Sequence, residues 1–256
     1  MKGIILVGGL GTRLEPMTRV INKHLLPIGR FPMVYYPLHS LVDAGIRDIM
    51  IVTGGNNPGE VLELLHDGSE FGLDHLYFTY QQQPLGIADA LRATAHFVGD
   101  DRCIIILGDN ILAGSIGPFV KRFEEQSQGA RILLTEVPDP ERFGVPEFDA
   151  QGKIVRVIEK PTAPPSNYAA IGVYMYDELV WEILPTLELS GRGQYEITDV
   201  QNAYLERDRL KYDVLDFGWS DAGTPESLFR ATVMMHDSDF LPELKPRNQN
   251  RSRPLA

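Results

Sequence analysis

The stretch that decides the fold is KGIILVGGLGTRLEPMTRVINKHLLPI, residues 2–28. Ile4-Ile5-Leu6-Val7 is a short apolar run that ends abruptly at Gly8-Gly9. Such a run reads as a buried parallel strand with a loop at its carboxyl end. In the loop Gly8-Gly9-Leu10-Gly11-Thr12-Arg13, three glycines permit tight turns and close backbone approach to a ligand. Backbone N–H groups exposed in this way form a concave anion site. Arg13 and Lys23 add cations, so the stretch reads as a device for holding phosphates. It is not the dinucleotide fingerprint, because Leu14 stands where the third glycine belongs. It is not a P-loop, because no Gly-Lys-Ser/Thr follows.

Outward from this strand the chain alternates. Strands are expected over 48–53, 76–81, 102–107 and 130–137, and helices over 33–44, 60–66, 86–97 and 116–126. Pro37 argues for a late start or a kink in the first helix. This alternation predicts a three-layer α/β/α fold on a mostly parallel sheet. After Pro138 the rhythm changes to short strands over 145–149, 154–159 and 170–176, then helices over 177–184, 197–206 and 225–235, with a strand at 211–216. No clean linker separates the halves. The expectation is one domain over 1–240 with a small mixed β subdomain closing over the sheet. Residues 241–256 read as a basic, polar, disordered tail.

The sequence has 256 residues and a formal net charge of −11, which disfavours nucleic acid and anionic membrane as partners. Local cations in a cleft still allow an anionic small substrate. The one cysteine, Cys103, lies in the apolar run CIIIL and reads as a core thiol. No signal-peptide pattern or membrane-length apolar run is present, so a cytoplasmic protein is expected.

Several residues carry chemistry. Asp109, in LGDN, follows an apolar strand, and ligands of open α/β sheets lie beyond the carboxyl ends of strands. Asp221, in GWSDAGTP, is its candidate partner. Two carboxylates from different strand ends suit Mg²⁺, although helix capping explains them about as well. Glu159-Lys160 ends an apolar strand before Pro161. The functional reading gives Lys160 a substrate phosphate and Glu159 sugar hydroxyls; the plainer one is a solvated ion pair. Tyr174, Gly144 and Asn110 are candidates for the same cavity. In YQQQPLGIADA, residues 80–90, Gln81 sits at a strand exit and Gly86 opens a helix. A glutamine amide offers both a donor and an acceptor to a base edge. No serine elbow or trusted Cys-His arrangement points to covalent catalysis. Asp237-Ser238-Asp239 has the letters of a glycosyltransferase metal motif but lies away from any strand exit.

GGLGTRLEPMT (8–18), NKHLLPI (22–28), YQQQPLGIADA, LGDN (107–110), RFGVPEFD (142–149), IEKP (158–161), SNYAAIGVYMYD (166–177), YEITDV (195–200) and GWSDAGTP (218–225) together resemble the sugar-phosphate nucleotidylyltransferases. The resemblance implies a Rossmann-like, nucleotide-diphospho-sugar transferase fold. It also implies in-line attack of a sugar 1-phosphate on the α-phosphorus of a nucleoside triphosphate. The implied pair is dTTP with glucose 1-phosphate, giving dTDP-glucose and pyrophosphate; UTP is the alternative nucleotide. Carried over, Arg13 and Lys23 stabilise the triphosphate and the leaving group, on the loop of Gly8, Gly9, Gly11 and Thr12. Asp109 and Asp221 hold Mg²⁺, and Lys160 grips the sugar phosphate. Gln81, with backbone at Gly86 and Gly8, reads the pyrimidine. Gly144, Glu159 and Tyr174 read the hexose, with Asn110 near the ribose or sugar. Longer members carry further C-terminal helices associated with a tetramer and product feedback. This sequence ends soon after the GWSDAGTP helix, which leaves homo-oligomer formation and regulation open.

Overall fold

In this computed structural model the apolar run after Lys2 forms strand β1, Lys2–Val7, buried from Ile4 onward. The structure describes residues 1–55 and 57–245. Two-residue strands β2 (Pro27–Ile28) and β3 (Phe31–Pro32) form a small ladder. Helix α1 (Tyr35–Asp43), β4 (Asp48–Thr53), α2 (Pro58–Leu65) and β5 (His75–Tyr80) follow. Then come α3 (Ile87–Arg92), α4 (Ala95–Val98), β6 (Cys103–Leu107), β7 (Ile111–Leu112) and α5 (Gly117–Glu125). The second half contains β8 (Ala130–Glu136), β9 (Gly144–Phe148), β10 (Ile154–Glu159) and β11 (Tyr168–Tyr176). It ends with α6 (Val180–Ile183), α7 (Ile197–Leu205), β12 (Leu210–Val214), β13 (Trp219–Ser220) and α8 (Pro225–His236).

Nine strands make one sheet. β1 pairs in parallel with β4 on one side and β6 on the other, and β4 pairs in parallel with β5. β11 runs antiparallel to both β6 and β8, and β12 runs parallel to β8. Counting β9, which is antiparallel to β11, seven of the nine strands among the described residues share one direction, with β11 and β10 reversed. The hairpin β9–β10 joins β11 through Ala170 and Gly144. This is the mixed β element expected after Pro138, hung on the reversed strand.

Both faces of the sheet are covered, as a parallel sheet requires. Ile5 and Val7 pack with Leu38 and Leu41 of α1, while Ile4 and Leu6 pack with Ala88 and Leu91 of α3 and with Val200 of α7. Each such fully buried aliphatic side chain contributes about 1.5–3 kcal/mol. A third cluster lies under the carboxyl edge of the sheet. It joins Leu14, Ile111, Ala222, Ala231 and Met235. It ties the glycine loop to the segments on either side of Asp109 and Asp221.

Three expectations change in detail. Pro37 falls in the first turn of α1, where the N–H groups have no helical partner anyway, so the helix starts late. The helix expected over 86–97 is broken: the Thr94 hydroxyl donates to the Leu91 carbonyl at 2.8 Å. In the tail, residues 241–245 are held against the protein, with the Lys245 N–H donating to the Glu70 carbonyl at 2.7 Å. The remainder of the tail, with Arg247, Arg251 and Arg253, lies outside the described residues. Cys103 is buried and its thiol is pushed up to about 12 by that burial, as befits a core residue. Among the described residues no helix is long and apolar enough to cross a membrane.

Candidate active site

The parallel strands β1, β4, β5 and β6 end on one edge and deliver Gly8, Gly54, Gln81 and Gly108-Asp109 there. A cleft of about 340 Å³ opens on this edge. Its lining includes Gly8, Gly9, Arg13, Lys23, Gln81, Gly86 and Asp109. Gly11 and Thr12 do not line the cleft; Thr12 is exposed and begins the single turn Thr12–Leu14, whose Leu14 is buried.

The glycine loop is tight for steric reasons. A Cβ on Gly9 would sit 3.1 Å from Lys23 Cε, so the Lys23 side chain passes directly over the loop. Gly86 has φ +104°, and a Cβ there would meet the Tyr195 carbonyl at 2.5 Å. Only glycine fits at that helix start.

Lys23 Nζ donates to Asp109 Oδ2 at 2.5 Å. Burial alone would raise the Asp109 carboxyl, but the Lys23 ammonium, with hydrogen bonds from Lys23 and Asn110, holds it below the usual carboxylate range. His24, next to Lys23, is buried and its imidazole is lowered to about 3 by burial and then by the Lys23 charge. Its Nδ1 lies 2.8 Å from Asn22 Oδ1. Asn110 is also buried. Its Oδ1 accepts from Gly172 N at 2.9 Å and Trp219 Nε1 at 2.8 Å, and its Nδ2 donates to Asp109 Oδ1 at 3.1 Å. Asn110 thus binds β11 and β13 to the Asp109 carboxylate.

The two candidate metal carboxylates flank the same end of a ladder that periodicity does not reveal. β13 pairs antiparallel with β7, with Ser220 opposite Ile111. Asp221 leaves this ladder on the side where Asp109 and Asn110 enter it. Asp221 Oδ2 accepts from Arg142 Nη2 at 2.7 Å, and Arg142 Nη1 donates to Asp139 Oδ2 at 2.6 Å. Arg13 approaches from the loop: a Cβ on Gly223 would lie 3.0 Å from Arg13 Nη2 and 3.5 Å from Asp221 Oδ2. The donor set here is hard oxygen. Among the described residues no group of three or more His, Cys, Asp and Glu side chains could hold a metal by itself. Such a set fits Mg²⁺, which takes one or two carboxylates and fills its other positions with phosphates and water.

A second group of charged side chains is built by β9, β10 and the segment before α7, which gives Gln194 to the cleft lining. Glu159 ends β10, opposite Gly144. A Cβ on Gly144 would sit 2.9 Å from Thr198 Cγ2. Arg192 Nη2 donates to Glu159 Oε1 at 3.0 Å and to Glu196 Oε2 at 2.7 Å. Burial pushes the Glu159 carboxyl above its ordinary range, despite the opposing charges of Lys160 and Arg192. Lys160 has φ +45°, a left-handed conformation a non-glycine residue seldom adopts, and its ammonium is half exposed, 3.6 Å from Glu159 Oε1. Tyr174 is buried on β11, and burial, then the Glu159 and Asp109 charges, raise its hydroxyl.

Sequence reasoning missed Arg142 and Arg192. Arg142 stands in the quoted motif RFGVPEFD, and only its pairing with Asp221, 79 positions away, gives it a role. Arg192 sits between the helices expected over 177–184 and 197–206, where no periodicity or motif marks it. His24 and Asp89 were also passed over; Asp89 takes a hydrogen bond from Gln81.

The chain matches the family model described as nucleotidyl transferase over residues 2–238. Glucose-1-phosphate thymidylyltransferase of Mycolicibacterium smegmatis is 45% identical over 248 residues, covering 96% of this chain and 85% of the relative. The enzyme of the same name from Neisseria meningitidis is 43% identical, covering 90% of this chain and 81% of its own length. A Bacillus anthracis crystal structure in complex with sucrose, assigned to the same activity, superposes with TM-score 0.89 at 47% identity, covering 94% of this chain and 97% of that one. UDP-glucose pyrophosphorylase superposes with TM-score 0.80 at 24% identity, a likeness of fold alone. With a mostly parallel sheet, a glycine loop at the end of β1 and a family match running almost its whole length, the chain belongs to the nucleotidyl transferase family.

Proposed function

We propose that this protein transfers a thymidylyl group from dTTP to glucose 1-phosphate, releasing pyrophosphate. The observation that carries the reading is the Lys23–Asp109 pair set over the glycine loop, in one cleft with Gln81 and with Arg13, which shares the surroundings of Gly223 with Asp221. The relatives named for this reaction support the choice of nucleotide and sugar.

The residues divide the work. The loop N–H groups, Arg13 and Lys23 bind and orient the triphosphate and meet charge developing on the leaving pyrophosphate. Asp109 and Asp221 hold Mg²⁺, with Lys23 and Arg142 as their present counter-cations. When bound, Mg²⁺ supplies Lewis-acid charge to the phosphate oxygens. Gln81 and Gly86 face the base. Lys160 and Arg192 bring positive charge to the sugar phosphate, and Glu159 and Gly144 face the hexose. A phosphate nucleophile is already ionised near neutral pH, so the site needs positioning rather than a strong base.

The test is to incubate the protein with Mg²⁺, glucose 1-phosphate and each of dTTP, UTP, CTP, ATP and GTP, and to follow pyrophosphate. The highest kcat/KM is expected with dTTP. A higher value with UTP would move the assignment to uridylyl transfer. No pyrophosphate from any of them would remove it.

A further inference from the structure

We infer that Asp89 is a positioning residue that sets which pyrimidines the cleft takes, by fixing the amide of Gln81. This rests on the nucleotide reading proposed above.

Gln81 stands at the exit of β5, its N–H donating to the Thr53 carbonyl at 2.8 Å. Its side chain separates two spaces. One is the cleft itself; the other is a groove behind it lined by Gln82, Gln83, Asp89 and Arg92. Asp89 lines only the rear groove, so it acts on a bound base through Gln81.

The Gln81 Nε2 is committed twice. It donates to the Gly86 carbonyl at 3.1 Å and to Asp89 Oδ2 at 2.9 Å. A carbonyl and a carboxylate accept hydrogen bonds. Turning the amide over would put Oε1 against two acceptors and leave the N–H groups facing the cleft. The observed orientation is therefore the one the surroundings enforce. Both N–H bonds are spent inside the protein, and Oε1 points toward the glycine loop, 3.5 Å from where a Gly8 Cβ would sit. Asp89 is itself braced. Arg92 Nη1 lies 3.9 Å from its Oδ1, and the Arg92 guanidinium is anchored over the Tyr195 ring and by a 2.6 Å bond to the Leu184 carbonyl.

The face offered to the base is thus an acceptor. Thymine and uracil carry a donor at N3; cytosine carries an acceptor there. A cytosine base would set two acceptors against each other, and a polar site left unpaired rejects the wrong ligand strongly. Without Asp89, one acceptor anchors the amide instead of two, and both amide orientations become accessible.

The experiment compares dUTP with dCTP, which differ only at the N3–C4 edge, each at saturating glucose 1-phosphate. Wild type is expected to favour dUTP in kcat/KM by at least about 100-fold. Asp89→Ala and Asp89→Ser should cut that ratio at least tenfold, with most of the change in nucleotide KM. Asp89→Asn keeps one acceptor oxygen and should hold the ratio within about threefold. Each ratio is taken on one preparation, so it does not depend on the folded fraction. A ratio unchanged in Asp89→Ala and Asp89→Ser, with both nucleotides slowed alike, would overturn the assignment. So would loss of the ratio in Asp89→Asn to the Asp89→Ala level. Failure of wild type to use any pyrimidine triphosphate would instead sink the proposed function.

Discussion

Asp109 follows β6 and lines the cleft, Glu159 ends β10, and their surroundings drive the two carboxylates in opposite directions. Asp109 meets the Lys23 ammonium at 2.5 Å and is held below the ordinary carboxylate range. Glu159 shares Arg192 with Glu196, has the Lys160 ammonium only at 3.6 Å, and is raised by burial. Under the proposed function the contrast separates two tasks. A carboxylate that holds a cation must stay charged at every working pH. A carboxylate that receives sugar hydroxyls gains from being readily desolvated. The scaffolds differ as well. Asp109 stands at parallel strand ends with packed cores on both faces. Glu159 stands on a hairpin attached to the sheet through one residue pair.

The largest effect should come from the ionised side. Asp109→Asn should lower kcat/KM about a thousandfold in steady-state pyrophosphate release, since it removes a preorganised charge from the reacting phosphates. Robust turnover would break the comparison at its first half. Lys160→Ala should next raise the KM for glucose 1-phosphate about tenfold or more and leave the KM for dTTP near wild type. Equal increases in both would mean that the Asp109 and Glu159 regions do not divide the substrates.

The third prediction sets the two carboxylates directly against each other in thermal melts. The depressed Asp109 carboxyl adds stability above its unfolded value near pH 3.9, lost as pH falls through the folded value. Asp109→Asn should therefore have a lower Tm than wild type at pH 7.5, with the gap closing below about pH 4. The raised Glu159 carboxyl has the opposite sign: its stability contribution is present when protonated and is lost as pH rises through the folded value. Glu159→Gln should melt higher than wild type at pH 7.5, with the gap closing near about pH 4. Tm shifts of the same sign at pH 7.5 would erase the distinction. The smallest effect is expected at the helix that follows Asp221. Thr224 accepts from Ser227 N at 3.2 Å in a reciprocal cap of α8. Thr224→Ala should cost about 1 kcal/mol of stability with kcat nearly unchanged; a large loss of kcat would show that Asp221 depends on this cap.

The glycine loop, the strand ends bearing Asp109 and Gln81, and the strand that ends at Glu159-Lys160 were legible because each is a local pattern. An apolar run cut off by glycine or proline announces a strand exit, and parallel strand exits share an edge. The reversal of β11 was not legible, because pairing partners of a buried apolar strand leave no mark on its own residues. The β7–β13 ladder was hidden for another reason: strands of two residues have no periodicity. The split between α3 and α4 turned on one Thr94 hydroxyl, and an apolar face running across it looks like one helix.

Local order along the chain determined the class of the fold, the glycine loop and half of the residues that line the cleft, since hydrophobic period and glycine placement act within a few positions. The folded chain alone decided which cation answers which carboxylate, that Asn110, held by bonds from Gly172 and Trp219, donates to Asp109, and which way the Gln81 amide faces. Charge pairing and hydrogen-bond direction act through space between residues far apart in sequence, and they exist only once the sheet has brought those residues together.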